Sequence, residues 1–215
     1  MGALCFCGGG LTQLRPEVVA VGLTGGIGAG KTAALRFFAD SGALTLSADE
    51  VVHALYRRDD VREALRGYFG VDVLDTEHGV DRRRVAEAVR GHRERLRWLE
   101  ALFHPLVGEE IVRFIGEAPP GSVVVCEVPL LFETGMRDLF DLVVTIEAGS
   151  DRRRERSIHD FDLDMFGEFE ALQASSEQRA AGSDLVFVND GAVEELRAFV
   201  REAYERARRL AEAAR

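Results

Sequence analysis

The feature that most constrains this chain of 215 residues is the glycine-rich segment at residues 25–32, which matches G-x-x-x-x-G-K-[ST] in full. It follows a short apolar run at residues 18–23, whose β-branched composition is typical of a buried strand in a parallel sheet. Residues 31–39 then have helical character. A strand, a glycine-rich turn and a helix in this order predict a phosphate-binding loop.

Each residue type in this segment has a physical role. Glycines let the backbone turn tightly with its N–H groups facing phosphate oxygens, and the following helix adds the positive end of its dipole. The ammonium group of Lys31 suits the β- and γ-phosphates, and the hydroxyl of Thr32 can bind Mg²⁺. Lys31 is the only lysine among 27 basic residues, which argues against the alternative of a glycine-rich turn without a ligand. We therefore predict a nucleoside triphosphate site that consists of Gly25, Gly26, Ile27, Gly28, Ala29, Gly30, Lys31, Thr32 and Ala33.

The composition limits the classes of protein to which the chain can belong. A hydrophobic fraction of 47% and a charged fraction of 30% are typical of a globular protein with one sizeable core. The net charge of −10 argues against a general nucleic-acid binder. No apolar stretch approaches the roughly 20 residues needed to cross a bilayer, so we expect no membrane partner. Three cysteines are too few for a disulfide framework, and we expect a cytoplasmic location.

The order of predicted elements indicates an α/β fold. Short apolar strands alternate with helical segments, which predicts a three-layer P-loop NTPase fold with a five-stranded parallel sheet. The strands are expected at residues 18–23, 43–46, 122–126, 142–146 and 184–188. We expect residues 1–16 to form an N-terminal extension to one P-loop domain at residues 17–215. That domain contains a helical insertion at about 50–118, with helices at 93–103 and 106–115, a lid at about 151–182, and a final helix at 193–213.

A candidate catalytic base follows the second predicted strand, in the tripeptide Ser47-Ala48-Asp49. Ligands of doubly wound sheets bind at the carboxyl ends of the strands, where Asp49 could accept the proton of an attacking hydroxyl group. Ser47 or Asp49 could instead cap the next helix. The residues alone leave both interpretations open.

Six short motifs follow one another along residues 18–191. They are G-L-T-G-G-I-G-x-G-K-[ST] at 22–32, D-A-D at 47–49 with Ser47 in first place, D-R-x-x-L at 81–85, His104-Pro105, P-L-L-F-E at 129–133 and N-x-G at 189–191. In this order they resemble the motifs of the dephospho-CoA kinase family. Members of that family transfer the γ-phosphate of ATP to the ribose 3′-hydroxyl of dephospho-CoA, the last step of coenzyme A synthesis.

The resemblance implies a kinase with ATP and Mg²⁺ as cofactors and a small-molecule acceptor, acting as a monomer or weak homo-oligomer. It implies that Asp49 is the catalytic base beside Lys31 and that Thr32 and Glu127 bind the metal. The implied acceptor-binding residues are Asp49, Arg82, His104, Pro129 and Leu130, and the implied nucleotide-binding residues beyond the loop are Arg154, Arg179 and Asn189. Structural alternatives remain for two of them, because His104 could separate two helices and Arg82 could belong to a solvated face.

The lid departs from the family pattern. Family members have R-x-x-x-R-D followed by Q-x-x-R-x-x-[RK], and the arginines stabilise transition-state charge. Here Arg154 can supply the first arginine, but Ile158 and His159 occupy the region of the second, and Ser176 replaces a third. Arg152, Arg153 or Arg156 could compensate. Because such an arginine contributes several orders of magnitude in rate, two alternatives stay open: a divergent paralogue that binds nucleotide with weak or no kinase activity, and a kinase for another small nucleotide or metabolite.

Overall fold

The computed structural model describes residues 17–75, 79–157 and 170–213, so the predicted extension at 1–16 lies outside the described residues. The chain divides into two compact units. One unit combines the residues up to Ser47 with those from Val112 onward, and the other is Ala48–Ile111. The predicted insertion at 50–118 overlaps the second unit.

The described strands and helices are numbered in chain order. The strands are β1 (Val19–Gly25), β2 (Leu44–Ser47), β3 (Leu74–Asp75), β4 (Gly79–Val80), β5 (Val123–Glu127), β6 (Leu142–Glu147) and β7 (Leu185–Val188). The α-helices are α1 (Lys31–Asp40), α2 (Ala48–Leu55), α3 (Asp59–Phe69), α4 (Arg82–Val89), α5 (Arg93–Glu117), α6 (Ser150–Ser157), α7 (Ser176–Gly182) and α8 (Val193–Ala213).

The first unit is built on a five-stranded parallel sheet in the order β2-β5-β1-β6-β7. The strands β1, β5 and β6 are buried along their whole length, as expected of central strands covered on both faces. The predicted α/β fold and its five-stranded sheet are confirmed, with every strand within two residues of its predicted limits. Among the described residues, no helix is both long and apolar enough to span a membrane.

Alternate residues of β1 pack on opposite faces of the sheet. Val21 and Leu23 join the main core, to which α1 contributes Phe38 and α8 contributes a run of small and branched side chains, namely Leu196, Val200, Ala203, Ala207 and Ala211. On the other face, Gly22 leaves room for neighbours, since a Cβ there would lie 2.7 Å from Cδ1 of Leu131. Helix α8 has the predicted limits.

The second unit contains α2, α3, α4 and most of α5, together with an antiparallel hairpin of β3 and β4 that the sequence analysis did not predict. The prediction of two helices at 93–103 and 106–115 is wrong. Helix α5 is continuous over 25 residues, with Pro105 inside it. Proline removes one backbone donor, but an apolar stripe at four-residue spacing continues across it and is buried on both sides. The stripe consists of Phe103, Val107, Ile111 and Ile115.

Candidate active site

The phosphate-binding loop joins the carboxyl end of β1 to the start of α1, whose N-cap is Gly30. Two of its glycines are required by close backbone approach. A Cβ on Gly25 would collide with the carbonyl oxygen of Ile146, and one on Gly28 would collide with the carbonyl oxygen of Arg153. Both glycines also have positive φ, 144° and 72°, which disfavours other residues. Neighbouring strand and helix backbone therefore fix the path of the loop.

Lys31 lies in the first turn of α1 and folds back over the loop. Its Nζ donates to the carbonyl oxygens of Gly25 at 3.1 Å and Gly26 at 3.0 Å. Thr32 is exposed beside it. The first-turn N–H groups of a helix have no acceptor within the helix, so a helix start is suited to binding an anion. The loop thus combines one ammonium group, one exposed hydroxyl group and a helix N-terminus.

Helix α6 brings two arginines to the loop. A Cβ on Gly26 would lie 3.2 Å from Cδ and Nη1 of Arg153, whose Nη2 pairs with Glu170 at 2.6 Å. Arg156 donates from Nη2 to the carbonyl oxygen of Asn189 at 2.9 Å and lies within 3.4 Å of the Ala29 carbonyl oxygen. The predicted Arg154 is exposed on the same helix. Arg153 and Arg156 are two of the three alternatives that the sequence left open.

Arg179, predicted to bind nucleotide, lies in α7 and is only 4% exposed. Its guanidinium makes two hydrogen bonds to the carboxylate of Glu147, at 2.6 and 2.8 Å, and its Nη2 lies 3.4 Å from the position of a Cβ on Gly26. Ser176 begins α7 and is exposed, directly after the N-cap Ser175. Ile158 and His159 lie outside the described residues.

Asn189 supports the loop from beyond the end of β7. Its buried Nδ2 donates to the carbonyl oxygen of Ala29 at 2.8 Å. A Cβ on Gly30 would lie 2.5 Å from the same nitrogen. The predicted nucleotide-side residue therefore contacts the loop backbone directly.

Glu127 is the last residue of β5. It lies at the carboxyl end of the sheet, where the loop also begins, because it pairs with Leu23 of β1 and Ser47 of β2. Its carboxylate is buried and accepts a hydrogen bond of 3.1 Å from the Ser47 hydroxyl. Pro129 and Leu130 follow and are half-buried. The carbonyl oxygen of Pro129 accepts from Nε2 of Gln173 at 3.1 Å. Gln173 was not predicted as a site residue, although it opens the family's Q-x-x-R run.

Asp49 is exposed in the first turn of α2. Because α2 already begins at Ala48, Asp49 is not its N-cap residue. An acidic side chain in the first turn is favoured by the helix dipole, whether or not it also acts as a base.

Arg82, another of the predicted acceptor-binding residues, lies in the second unit. Arg82 is the first residue of α4, whose N-cap Asp81 accepts from the backbone of Arg83 and Arg84 at 3.0 and 3.3 Å. Burial raises the pKa of Tyr56, and the charge of Arg82 opposes that shift.

His104 is half-buried within α5, so the alternative in which it separates two helices is wrong. Burial lowers the pKa of His104, while the charge of Glu100 acts in the opposite direction.

A metal ion would have few protein ligands here. Within residues 17–75, 79–157 and 170–213, no three His, Cys, Asp or Glu side chains gather closely enough to hold a metal by themselves. Mg²⁺ at nucleotide sites is usually bound by one or two protein oxygens together with substrate phosphates. A hydroxyl at the start of α1 and a buried carboxylate at the end of β5 are donors of that kind.

A phosphate-binding loop at the carboxyl end of the central strand of a five-stranded parallel sheet, with arginines from α6 and α7 beside it, defines a protein of the P-loop NTPase class. The profile of the dephospho-CoA kinase family matches residues 19–195. The chain is 35% identical to the dephospho-CoA kinase of Thermobifida fusca over 89% of its own length and 98% of that protein. It is 34% identical to that of Frankia casuarinae, over 86% and 82% of the two chains. The chain belongs to the dephospho-CoA kinase family.

Solved structures agree with this fold. The Thermus thermophilus protein TT1252 is 27% identical, with a TM-score of 0.72 over 88% of this chain and 98% of that one. The dephospho-CoA kinase of Campylobacter jejuni is 19% identical, with a TM-score of 0.61 over 89% and 98%. A shikimate kinase from Acinetobacter baumannii, 14% identical, has a TM-score of 0.51 over 90% and 95%. The last two similarities concern the fold alone.

Proposed function

We propose that this protein transfers the γ-phosphoryl group of ATP to the ribose 3′-hydroxyl of dephospho-CoA, the final step of coenzyme A synthesis. The observation that carries the proposal is the complete phosphate-binding loop, with Lys31 folded over it, in a chain that the family profile matches from residue 19 to 195. The loop supplies the chemistry that phosphoryl transfer requires, and family membership supplies the identity of the acceptor.

Residues 25–33 bind the triphosphate in this proposal. Lys31 exchanges its two carbonyl partners for the β- and γ-phosphate oxygens, and the first-turn amides of α1 hold the remaining charge. Thr32 and Glu127 would hold Mg²⁺, which when bound neutralises charge on the phosphates. The hydrogen bond from Ser47 fixes the orientation of the Glu127 carboxylate. Asn189 holds the Ala29 carbonyl on the other side of the loop.

Asp49 acts as the general base. It accepts the proton of the 3′-hydroxyl as that oxygen bonds to the γ-phosphorus, while the bond from phosphorus to the β,γ-bridging oxygen breaks and ADP leaves. Arg82 and His104 contribute to acceptor binding, as in the family pattern, and guanidinium groups are well suited to the phosphates of that substrate. Pro129 and Leu130 complete the set of acceptor-binding residues.

The positive charge missing at positions 158 and 176 of the lid is supplied from α6, the helix at the start of the same lid. Arg153 lies against Gly26 at the start of the phosphate-binding loop, whereas Arg154 is exposed. A planar guanidinium at this position stabilises charge on the transferring phosphoryl group. Arg153 thus takes the role that the family gives to an arginine near position 158.

A second candidate function is that of a nucleotide-binding paralogue with weak kinase activity. It is favoured by one observation: both arginines beside Gly26 are paired with carboxylates, Arg153 with Glu170 and Arg179 with Glu147. A carboxylate partner offsets part of the guanidinium charge, which weakens the stabilisation of phosphoryl charge by that arginine.

The experiment is an ADP-release assay with ATP and Mg²⁺, run with dephospho-CoA, with other nucleosides and nucleotides as acceptors, and without an acceptor. Turnover that depends on dephospho-CoA and gives coenzyme A by mass spectrometry supports the proposal. Turnover with a different acceptor refutes the proposed substrate, and ATP binding without turnover supports the paralogue. The Lys31→Met variant, expected to lose turnover, excludes contaminating ATPases.

A further inference from the structure

The side chain of Gln173 makes hydrogen bonds to two separate segments of the first unit. Its Oε1 accepts from the backbone N–H of Ile27 at 3.0 Å. Its Nε2 donates to the carbonyl oxygen of Gly25 at 3.3 Å and to that of Pro129 at 3.1 Å. One carboxamide therefore spans the first half of the phosphate-binding loop and the segment after β5.

Only a carboxamide of this length meets these requirements. Gln173 accepts from one backbone amide and donates to two carbonyl oxygens, whereas a carboxylate could only accept and an ammonium could only donate. The glutamine is half-buried, which makes these partners harder to replace with water.

The backbone that carries Gln173 is itself held on both sides. The N–H of Ala174 donates to the carboxylate of Glu133, and the Ala174 carbonyl accepts from the guanidinium of Arg179. Arg179 is in turn fixed by Glu147 at the end of β6. These bonds hold in place the backbone from which the Gln173 carboxamide reaches the loop.

Gly25 connects this contact to nucleotide binding, because its carbonyl oxygen also accepts from Nζ of Lys31 at 3.1 Å. A carbonyl oxygen has two lone pairs and can accept both donors at once. When Lys31 turns to the phosphates, it leaves this oxygen. Gln173 still donates to this oxygen, and its bond to the Ile27 N–H holds the loop from the other direction.

We propose that Gln173 is a positioning residue, which keeps residues 25–27 in the phosphate-binding conformation while Lys31 moves from the loop carbonyls to the nucleotide. The inference rests on the proposed nucleotide site but not on the identity of the acceptor. Gln173 acts through the loop, so it contributes equally to ATP binding before and during phosphoryl transfer. Its loss should raise the KM for ATP and leave kcat nearly unchanged.

The experiment compares Gln173→Ala, Gln173→Glu and the control Gln178→Ala in the full chain. Gln178 is exposed, and its carboxamide oxygen accepts from the nearby backbone of Ser175. Binding of ATP with Mg²⁺ is measured by calorimetry without an acceptor, together with the melting temperature. The kinetic constants for ATP and dephospho-CoA are measured separately.

We expect about a tenfold weaker ATP Kd for Gln173→Ala, with kcat within about threefold, an unchanged KM for dephospho-CoA and a melting temperature within about 3 °C. Gln173→Glu should bind ATP more weakly still, because its carboxylate keeps the bond to Ile27 but cannot donate to the carbonyls and repels the triphosphate. Gln178→Ala should stay within about twofold of the parent protein.

Four results would overturn the inference: an ATP Kd for Gln173→Ala within twofold of the parent, tighter binding by that variant, an equal loss in Gln178→Ala, or an affinity loss matched by loss of folding. Tighter binding would mean that Gln173 competes with the nucleotide. Absence of turnover with dephospho-CoA would refute the proposed acceptor, while the calorimetric comparison would still decide the role of Gln173.

Discussion

Arg179 and Glu147 form a two-point ion pair, with Nε and Nη2 of the arginine 2.6 and 2.8 Å from the two carboxylate oxygens. Their side chains are 5% and 9% exposed. The pair fastens α7 to the end of β6 and places a guanidinium beside Gly26. It therefore connects the stability of the fold with the geometry of the loop.

Removing one partner of this pair should destabilise the protein strongly. We expect Arg179→Met to lower the free energy of unfolding by about 3 kcal/mol or more, since an uncompensated buried carboxylate remains. Urea denaturation followed by circular dichroism measures the change. Arg208→Ala is the control, because Arg208 pairs with Glu205 and Glu212 on an exposed surface and should cost less than about 1 kcal/mol. Equal losses in the two variants would contradict the prediction.

Gly25→Ala should distort the phosphate-binding loop. The added Cβ meets the carbonyl oxygen of Ile146, and the φ of 144° is unfavourable for alanine. We expect a loss of about 2 kcal/mol or more in unfolding free energy and a large loss of ATP affinity in calorimetry. Gly116→Ala in α5 is the matched control, where a Cβ meets nothing within 4 Å and helix propensity predicts a gain of up to about 1 kcal/mol. A Gly25→Ala variant that binds ATP normally would refute the described loop.

Asp49→Asn tests the proposed general base. The amide keeps the shape of the side chain but cannot accept the proton, so kcat should fall about a hundredfold or more while the ATP Kd stays within about twofold. Glu50→Gln changes the neighbouring exposed carboxylate in the same helical turn and should leave both constants unchanged. Lost ATP binding with normal kcat would show that Asp49 does not act as the base.

His104 should make the stability of the protein sensitive to acid. Burial lowers its pKa, so between the folded value and the unfolded value of about 6.5 the unfolded chain binds more protons. The neutral histidine's contribution is therefore complete above about pH 6.5 and decreases as the pH falls below it. Unfolding free energies at several pH values between 5 and 7.5 should fall less steeply toward acid for His104→Gln than for the parent. If the unfolding free energies of the two proteins changed equally with pH, the lowered pKa of His104 would be contradicted.

Cys126 should be unreactive in the folded protein. It lies fully buried in β5, and burial raises the pKa of its thiol to about 12. The thiolate, which is the reactive form, is then scarce at pH 8. Alkylation with iodoacetamide, followed by peptide mass spectrometry, should label Cys126 only after denaturant is added. Rapid labelling under native conditions would refute the described burial.

Local patterns were sufficient to predict the sheet and the final helix. Each central strand is a short apolar run because both of its faces are covered, and this pattern can be recognised without knowledge of its partners. The hairpin of β3 and β4 escaped prediction because two-residue strands carry almost no periodicity. Helix α5 was divided incorrectly because Pro105 is a strong local signal for a helix end, whereas the burial of Phe103 and Val107 on either side of it depends on tertiary packing.

The arginines of α6 also show where prediction from the sequence fails, here within a single helix. Residues 152, 153, 154 and 156 are all arginine, so residue type cannot distinguish among them. Successive helical residues differ by about 100° in direction. The position of α6 against the loop therefore decides that Arg153 lies beside Gly26 and that Arg154 is exposed.

The sequence by itself determined the phosphate-binding loop, since its glycines, lysine and threonine act within eight consecutive residues and their spacing carries the geometry. It also determined the family, because six short motifs occur in a fixed order. Only the tertiary structure decided which distant side chains hold that loop. Gln173 reaches Ile27 across 146 residues of chain, and Asn189 reaches Ala29 across 160. Contacts at such separations arise from the order in which the strands pack, and no local pattern of residues records that order.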